Sequence, residues 1–185
     1  EEIDLIEKMQ FESYRLGKVD RKINVIEPCL RNTNIVSIDF KSIKASELNF
    51  IHNFPNGFQS SQICTISRYA GISNRVSSIG VFDAFDNEIS YALLSQVVWY
   101  FIEGFCLRIN EDPHSKDFKG NSYYVPIGDQ QIKFYNSDLS QKWWFEFDNN
   151  SKNNALIPCN NEDYIDACNQ IISGRMLLSL KRNFV

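Results

Sequence analysis

The 185 residues, 43% hydrophobic and 23% charged, are the composition of a folded chain that can bury a sizeable core, and exclude a disordered one. A net charge of −4 with no basic run at either end removes the electrostatic footprint that nucleic acid requires. Five widely spaced cysteines without a C-x-x-C pair argue against a structural zinc site and fit buried, reduced thiols in a cytoplasm.

The chain opens Glu-Glu-Ile-Asp, with no Met and no signal-peptide core, so a processed chain or part of a longer protein is expected. Residues Glu2 to Tyr14 place Ile3, Ile6, Met9 and Phe11 among charges, an amphipathic helix that Gly17 would stop. A second helix is predicted from Val19 to Arg31, kinked or divided by Pro28. Asn34 to Phe40 reads as a strand. Lys41 to Phe58 is a long polar loop with His52 and a Pro55-Asn56-Gly57 turn. Ser60 to Tyr69 is the next helix, with Gly71 as its cap. Arg75 to Phe82 is a second strand. Ile89 to Cys106 is a helix apolar around most of its circumference, hence expected between a sheet and a further layer. Its apolar run, Tyr91 to Phe105, falls short of the ~20 residues of a membrane span, so no membrane is expected.

Strand, helix, strand, helix is the pattern of a parallel sheet with crossover helices. Short strands follow at Tyr123 to Ile127, Gln131 to Tyr135 and Trp143 to Phe147, with turns at Gly128-Asp129 and Asn136 to Ser140. Asn149 to Asn154 is a polar loop, and Asn161 to Leu180 a helix capped by Asn160 or Asn161. Two parallel strands leave edges and faces uncovered, so the expectation is the C-terminal part of a larger α/β fold, or a chain that depends on a partner.

The chemistry concentrates at Asn34-Ile35-Val36-Ser37-Ile38-Asp39-Phe40-Lys41. Asp39 ends the first strand, where ligands gather in open α/β sheets. It reads either as the cap of the following turn or as a ligand. Residues i and i+2 of a strand lie on one side, roughly 7 Å apart. An Asp-x-Asp pair there would grip a divalent cation, whereas Asp39-x-Lys41 puts an ammonium at the cation's place. His52 and His114 are read as solvated loop residues, and Cys64 and Cys106 as core. Trp143, Phe145 and Phe147 belong on one strand face and Trp144 on the other, read as core or as interface, with contact to a second subunit the alternative for Trp144.

Beyond these local features, the order of several segments resembles the ureohydrolase family of arginase, agmatinase and formimidoylglutamase, in particular the arginase-like proteins of formimidoylglutamase type common in Bacteroidetes. The segments are Arg15-Leu16-Gly17, Glu27 to Asp39, Pro55-Asn56-Gly57-Phe58, Ile66 to Ser73, Val76 to Gly80, Trp99 to Phe105, Phe134 to Ser137, Trp143 to Glu146, Pro158-Cys159 and Glu162-Asp163-Tyr164. The resemblance implies the C-terminal part of a three-layer α/β/α fold with a mainly parallel sheet, the three short strands forming an antiparallel extension. It implies one domain over residues 1–185, incomplete as it stands. It also implies manganese in complete members, which activates water to attack a guanidino or formimino carbon, and a homo-oligomer or a missing N-terminal half as partner.

Carried over residue by residue, Asp39 would be a metal ligand and Asp83 a contact to the substrate's guanidinium group. The family's Asp-x-His-x-Asp segment does not occur in the chain. Lys41 replaces the second Asp of its later ligand segment, and Lys44-Ala45 stands where Asp-Pro would end that segment. The chain by itself is therefore expected to bind no manganese and to hydrolyse nothing. The rival reading is a degenerate member kept as a structural or regulatory subunit, in which Lys41 pairs with Asp39. A third is a split enzyme whose metal-bearing half lies on another chain.

Overall fold

A computed structural model describes residues 2–49, 54–128, 130–147 and 155–183. His52, Asp129 of the expected Gly128-Asp129 turn and the expected Asn149 to Asn154 loop lie outside them. Contacts divide the chain into two compact units, Tyr14–Asn110 and Glu1–Ser13 with Glu111–Val185. The chain is mixed α/β. Among the described residues the parallel sheet has two strands, and the expected antiparallel extension is instead the larger sheet, of four strands.

Helix α1 (Glu2–Lys8) belongs to the second unit and ends well before Tyr14. Gln10 takes the left-handed conformation at φ +56°, and the Phe11 N–H closes on the Ile6 carbonyl at 3.0 Å, the 6→1 bond that ends helices. Gly17, the expected stop, lies inside α2.

The Tyr14–Asn110 unit begins with α2 (Leu16–Arg21), a 3-10 turn (Ile23–Ile26) and α3 (Glu27–Arg31). The expected Val19 to Arg31 helix is thus split. Pro28 opens α3, a position where its missing N–H leaves no hydrogen bond unmade. Strand β1 (Ile35–Asp39) pairs in parallel with β2 (Ser78–Phe82), with Asp39 opposite Phe82. Between them come a 3-10 turn (Phe40–Ser42), α4 (Ala45–Leu48) and α5 (Ser60–Ile72), and α6 (Glu88–Cys106) follows β2. The expected long loop is shortened by α4 and by a parallel bridge between Ile43 and Phe58. Val36 and Ile38 point into a core shared with Ile63, Ala70, Leu93 and Val97, whereas Ile35 and Phe82 on the opposite sheet face are exposed.

Gly71 does not cap α5 but lies within it, facing Gly104 of α6. A Cβ on Gly71 would strike the Phe101 carbonyl oxygen, and one on Gly104 the Arg68 carbonyl oxygen. The two helix backbones therefore meet here. Ser67 Oγ donates to the Val97 carbonyl at 2.7 Å, and Arg68 pairs with Glu103 at 2.9 Å.

At the start of α5 the Ser60 N–H donates to Glu47 at 3.0 Å, and hydrogen bonds from Ser60 hold the Glu47 carboxyl below its ordinary range. A lowered folded-state pKa contributes stability that is full above the unfolded value of about 4.3 and is lost as pH falls through the folded value. Urea denaturation from pH 6 to pH 3 should therefore show a steeper loss in the native chain than in Glu47→Gln.

The second unit carries the antiparallel sheet in the order β3 (Gly120–Ile127), β4 (Gln130–Ser137), β5 (Trp143–Phe147), β6 (Ile157–Cys159). The expected Asn136 to Ser140 turn begins later, because β4 runs through Ser137. Strand β6 has no counterpart in the sequence reading. It carries Pro158, which a strand tolerates at an edge, and β6 is the edge. Phe134, Phe145 and Phe147 pack with Ala167 of α7 (Asn161–Cys168) and Met176 of α8 (Gly174–Asn183). Asn160 caps α7 by accepting from the Asp163 N–H at 3.0 Å, as expected. The single expected tail helix breaks at Gln170 (φ +63°), where the Ile171 N–H closes on the Asp166 carbonyl at 2.8 Å.

Candidate functional site

Parallel pairing of β1 and β2 brings their carboxyl ends side by side. Asp39 is the last residue of β1, and Asp83 follows Phe82, the residue opposite Asp39. The two acidic residues singled out in the sequence thus come from neighbouring strand ends. Asp83 sits at φ +51°, the left-handed region that a non-glycine residue adopts at a cost.

Asp39 acts as the cap of the 3-10 turn. Its Oδ1 accepts the Lys41 N–H at 2.8 Å, and its carbonyl accepts the Ser42 hydroxyl at 2.6 Å. The Lys41 ammonium reaches across to Asp83 Oδ2 at 2.8 Å. This corrects the expected Lys41–Asp39 ion pair: Lys41 serves Asp39 with its backbone and Asp83 with its side chain. The hydrogen bond that Lys41 donates to Asp83 raises the Lys41 pKa, and the charges of Asp83 and Asp39 add to it, so the lysine is held cationic. Both partners are about half exposed, so the pair is an electrostatic arrangement at the rim of the sheet rather than a source of stability.

Manganese, implied by the resemblance, does not fit these donors. Two carboxylates and an ammonium meet here, and one carboxylate already holds the ammonium. Among the described residues no group of three His, Cys, Asp or Glu side chains is placed to hold a metal ion.

A second polar cluster lies in the antiparallel unit. The sheet face opposite α7 and α8 carries Lys133, Tyr135 and Glu146, with Glu146 directly across from Lys133. Glu146 is buried. It accepts the Tyr135 hydroxyl at 2.6 Å and hydrogen-bonds His114 Nε2 at 2.8 Å. His114 is thus not the free loop residue expected, since it fastens the segment before β3 onto the sheet. Lys133 Nζ lies 4.7 Å from the Tyr135 ring centroid. Burial, and then the Glu146 bond, push the Tyr135 hydroxyl above its ordinary pKa. The signal was Glu146 itself, a lone carboxylate in the apolar strand Trp143-Trp144-Phe145-Glu146-Phe147. Tyr135→Phe would remove one donor from a buried carboxylate and should cost the unit about 1–3 kcal/mol in chemical denaturation.

Cys64 is buried as expected, but Cys106 is exposed and not core. Trp143 and Trp144 do point to opposite faces. Trp144 is buried, with Phe118 edge-on at 6.2 Å, which agrees with the core reading of this strand.

Compared with family models and with curated proteins, the chain gives no match.

Proposed function

We propose that the Tyr14–Asn110 unit is a ureohydrolase-like α/β element whose cation position is taken by the Lys41 ammonium, and that the chain is catalytically silent by itself. The carrying observation is the 2.8 Å Lys41–Asp83 pair at adjoining strand ends. Other support comes from the parallel β1–α5–β2 crossover and from the sheet, whose described part stops at two strands and leaves one face with Ile35 and Phe82 exposed. Such a sheet is suited to further strands and a second helical layer, as in a three-layer α/β/α fold. In complete enzymes of this kind manganese activates water against a guanidino or formimino carbon. Here the carboxylate proposed to meet the guanidinium, Asp83, is engaged by Lys41, and Asp39 is engaged as a cap.

The Lys41–Asp83 pair also favours a second reading, a non-catalytic structural or regulatory subunit, because it balances charge at the strand ends without a metal. Calorimetric titration of the chain with Mn²⁺, combined with turnover assays on arginine, agmatine and formiminoglutamate, tests both readings. The expected result is no saturable binding in the micromolar range and no product. Stoichiometric metal with turnover would overturn both.

A further inference from the structure

Helix α6 buries one face and leaves the other without a described partner. Ser90, Leu93, Val97 and Gly104 face the core. On the outward side Trp99 is 69% exposed, Phe105 53%, Ile102 52%, Tyr91 51% and Val98 45%. These five side chains present roughly 500 Å² of mostly apolar surface, at the upper end of what a monomer tolerates and approaching the ~800 Å² per partner of a stable interface.

The outward line follows a pattern. Ala92, Ser95, Trp99, Ile102 and Cys106 recur at intervals of three, four, three and four residues, the a/d seam of a helix that pairs with another helix. Along its first four positions the small Ala92 and Ser95 precede the large Trp99 and Ile102. Such a seam complements itself when two copies run antiparallel. With the two-fold axis level with Val97, each Trp99 lies over Ser95 of the second copy and each Ile102 over Ala92. Ser95 Oγ already donates to the Tyr91 carbonyl at 2.9 Å, so covering it leaves no unmet hydroxyl donor. Glu103, on the seam's flank, is matched by Arg68, which lowers the like-charge cost of bringing two acidic flanks together. The close Gly71–Gly104 approach holds α6 in place on α5, so the seam is formed before any partner arrives.

We propose that the α6 seam is the interface of a symmetric homodimer, built on antiparallel α6 pairing with Trp99 seated over Ser95. The occupant is a second copy of this chain, and the proposal stands apart from the Lys41–Asp83 reading.

Sedimentation equilibrium of the 185-residue chain over 5–200 μM tests it, with helicity and thermal melting as fold controls. A monomer–dimer equilibrium is expected. Trp99→Ala should weaken it about tenfold or more through loss of the central aromatic anchor. Ser95→Leu should also weaken it, although it adds apolar area, because it fills the hollow that receives Trp99. By length and composition α6 is also apolar enough to cross a membrane, so flotation with phosphatidylcholine–phosphatidylglycerol vesicles is the companion measurement. A monomer at every concentration, a tighter dimer in Ser95→Leu, or vesicle binding by a chain that stays monomeric would each overturn the proposal.

Discussion

Gly104→Val is expected to destabilise the Tyr14–Asn110 unit by about 3 kcal/mol, the upper range for overpacking a tight contact. The substitution places a branched side chain where α6 meets the backbone of α5 at Arg68 and Gly71. Neither helix can yield cheaply. The Ser67–Val97 hydrogen bond and the Arg68–Glu103 pair tie them together just ahead of the contact. Two further bonds, from Arg108 to the Gly71 and Val76 carbonyls at 2.6 and 2.7 Å, anchor the chain just beyond α6. Urea denaturation followed by far-ultraviolet circular dichroism would read the change as a lowered midpoint. Gly17→Val is the control. A Cβ there meets nothing within 4 Å, so only a helix-propensity effect below about 1 kcal/mol is expected. Equal effects at the two positions would show that the helix contact is not tight.

Lys41→Asp is expected to raise Mn²⁺ affinity roughly tenfold or more over the native chain at low ionic strength, with screening reducing the gain at higher salt. The change removes the ammonium from Asp83 and adds a carboxylate two residues from Asp39, so three acidic groups face one point at the strand ends. Hard divalent cations bind best where several oxygens converge. Asp39 keeps its role as the turn's cap, because the bond it accepts comes from the residue-41 backbone N–H and does not depend on the side chain. Lys41→Met removes the charge without supplying a ligand and should give a smaller gain. An affinity unchanged in both variants would mean that the ammonium does not control the site.

Much of the local structure was legible because apolar periodicity marks which faces are buried. Strands β1, β2, β4 and β5 and helix α5 fall where the pattern places them, and so does the span of α6, although its outer face is exposed rather than covered by the further layer expected. What escaped has identifiable physical causes. Helices α1 and α7 end on Gln10 and Gln170 in the left-handed conformation, which glycine signals and glutamine does not. Gly71 looked like a cap because glycine usually ends helices; its actual use, close approach to Gly104, depends on a residue 33 positions away. Strand β6 is short and carries Pro158, so neither length nor propensity reveals it.

The candidate site shows the same division. Asp39 and Asp83 could be chosen from sequence, yet their meeting through Lys41 depends on parallel pairing and on the left-handed Asp83 backbone. The His114–Glu146–Tyr135 cluster required the strand register, because His114 and Glu146 are 32 residues apart.

Paramagnetic relaxation by Mn²⁺ reads, residue by residue, whether the Lys41 ammonium stands where a metal ion would. In ¹⁵N–¹H spectra of the native chain, substoichiometric Mn²⁺ should leave the amides of Phe40, Lys41, Ser42 and Asp83 no more broadened than those of other exposed acidic segments. In Lys41→Asp the same amides should broaden first. Selective broadening at Phe40–Ser42 and Asp83 in the native chain would mean that a metal ion binds there with the ammonium in place.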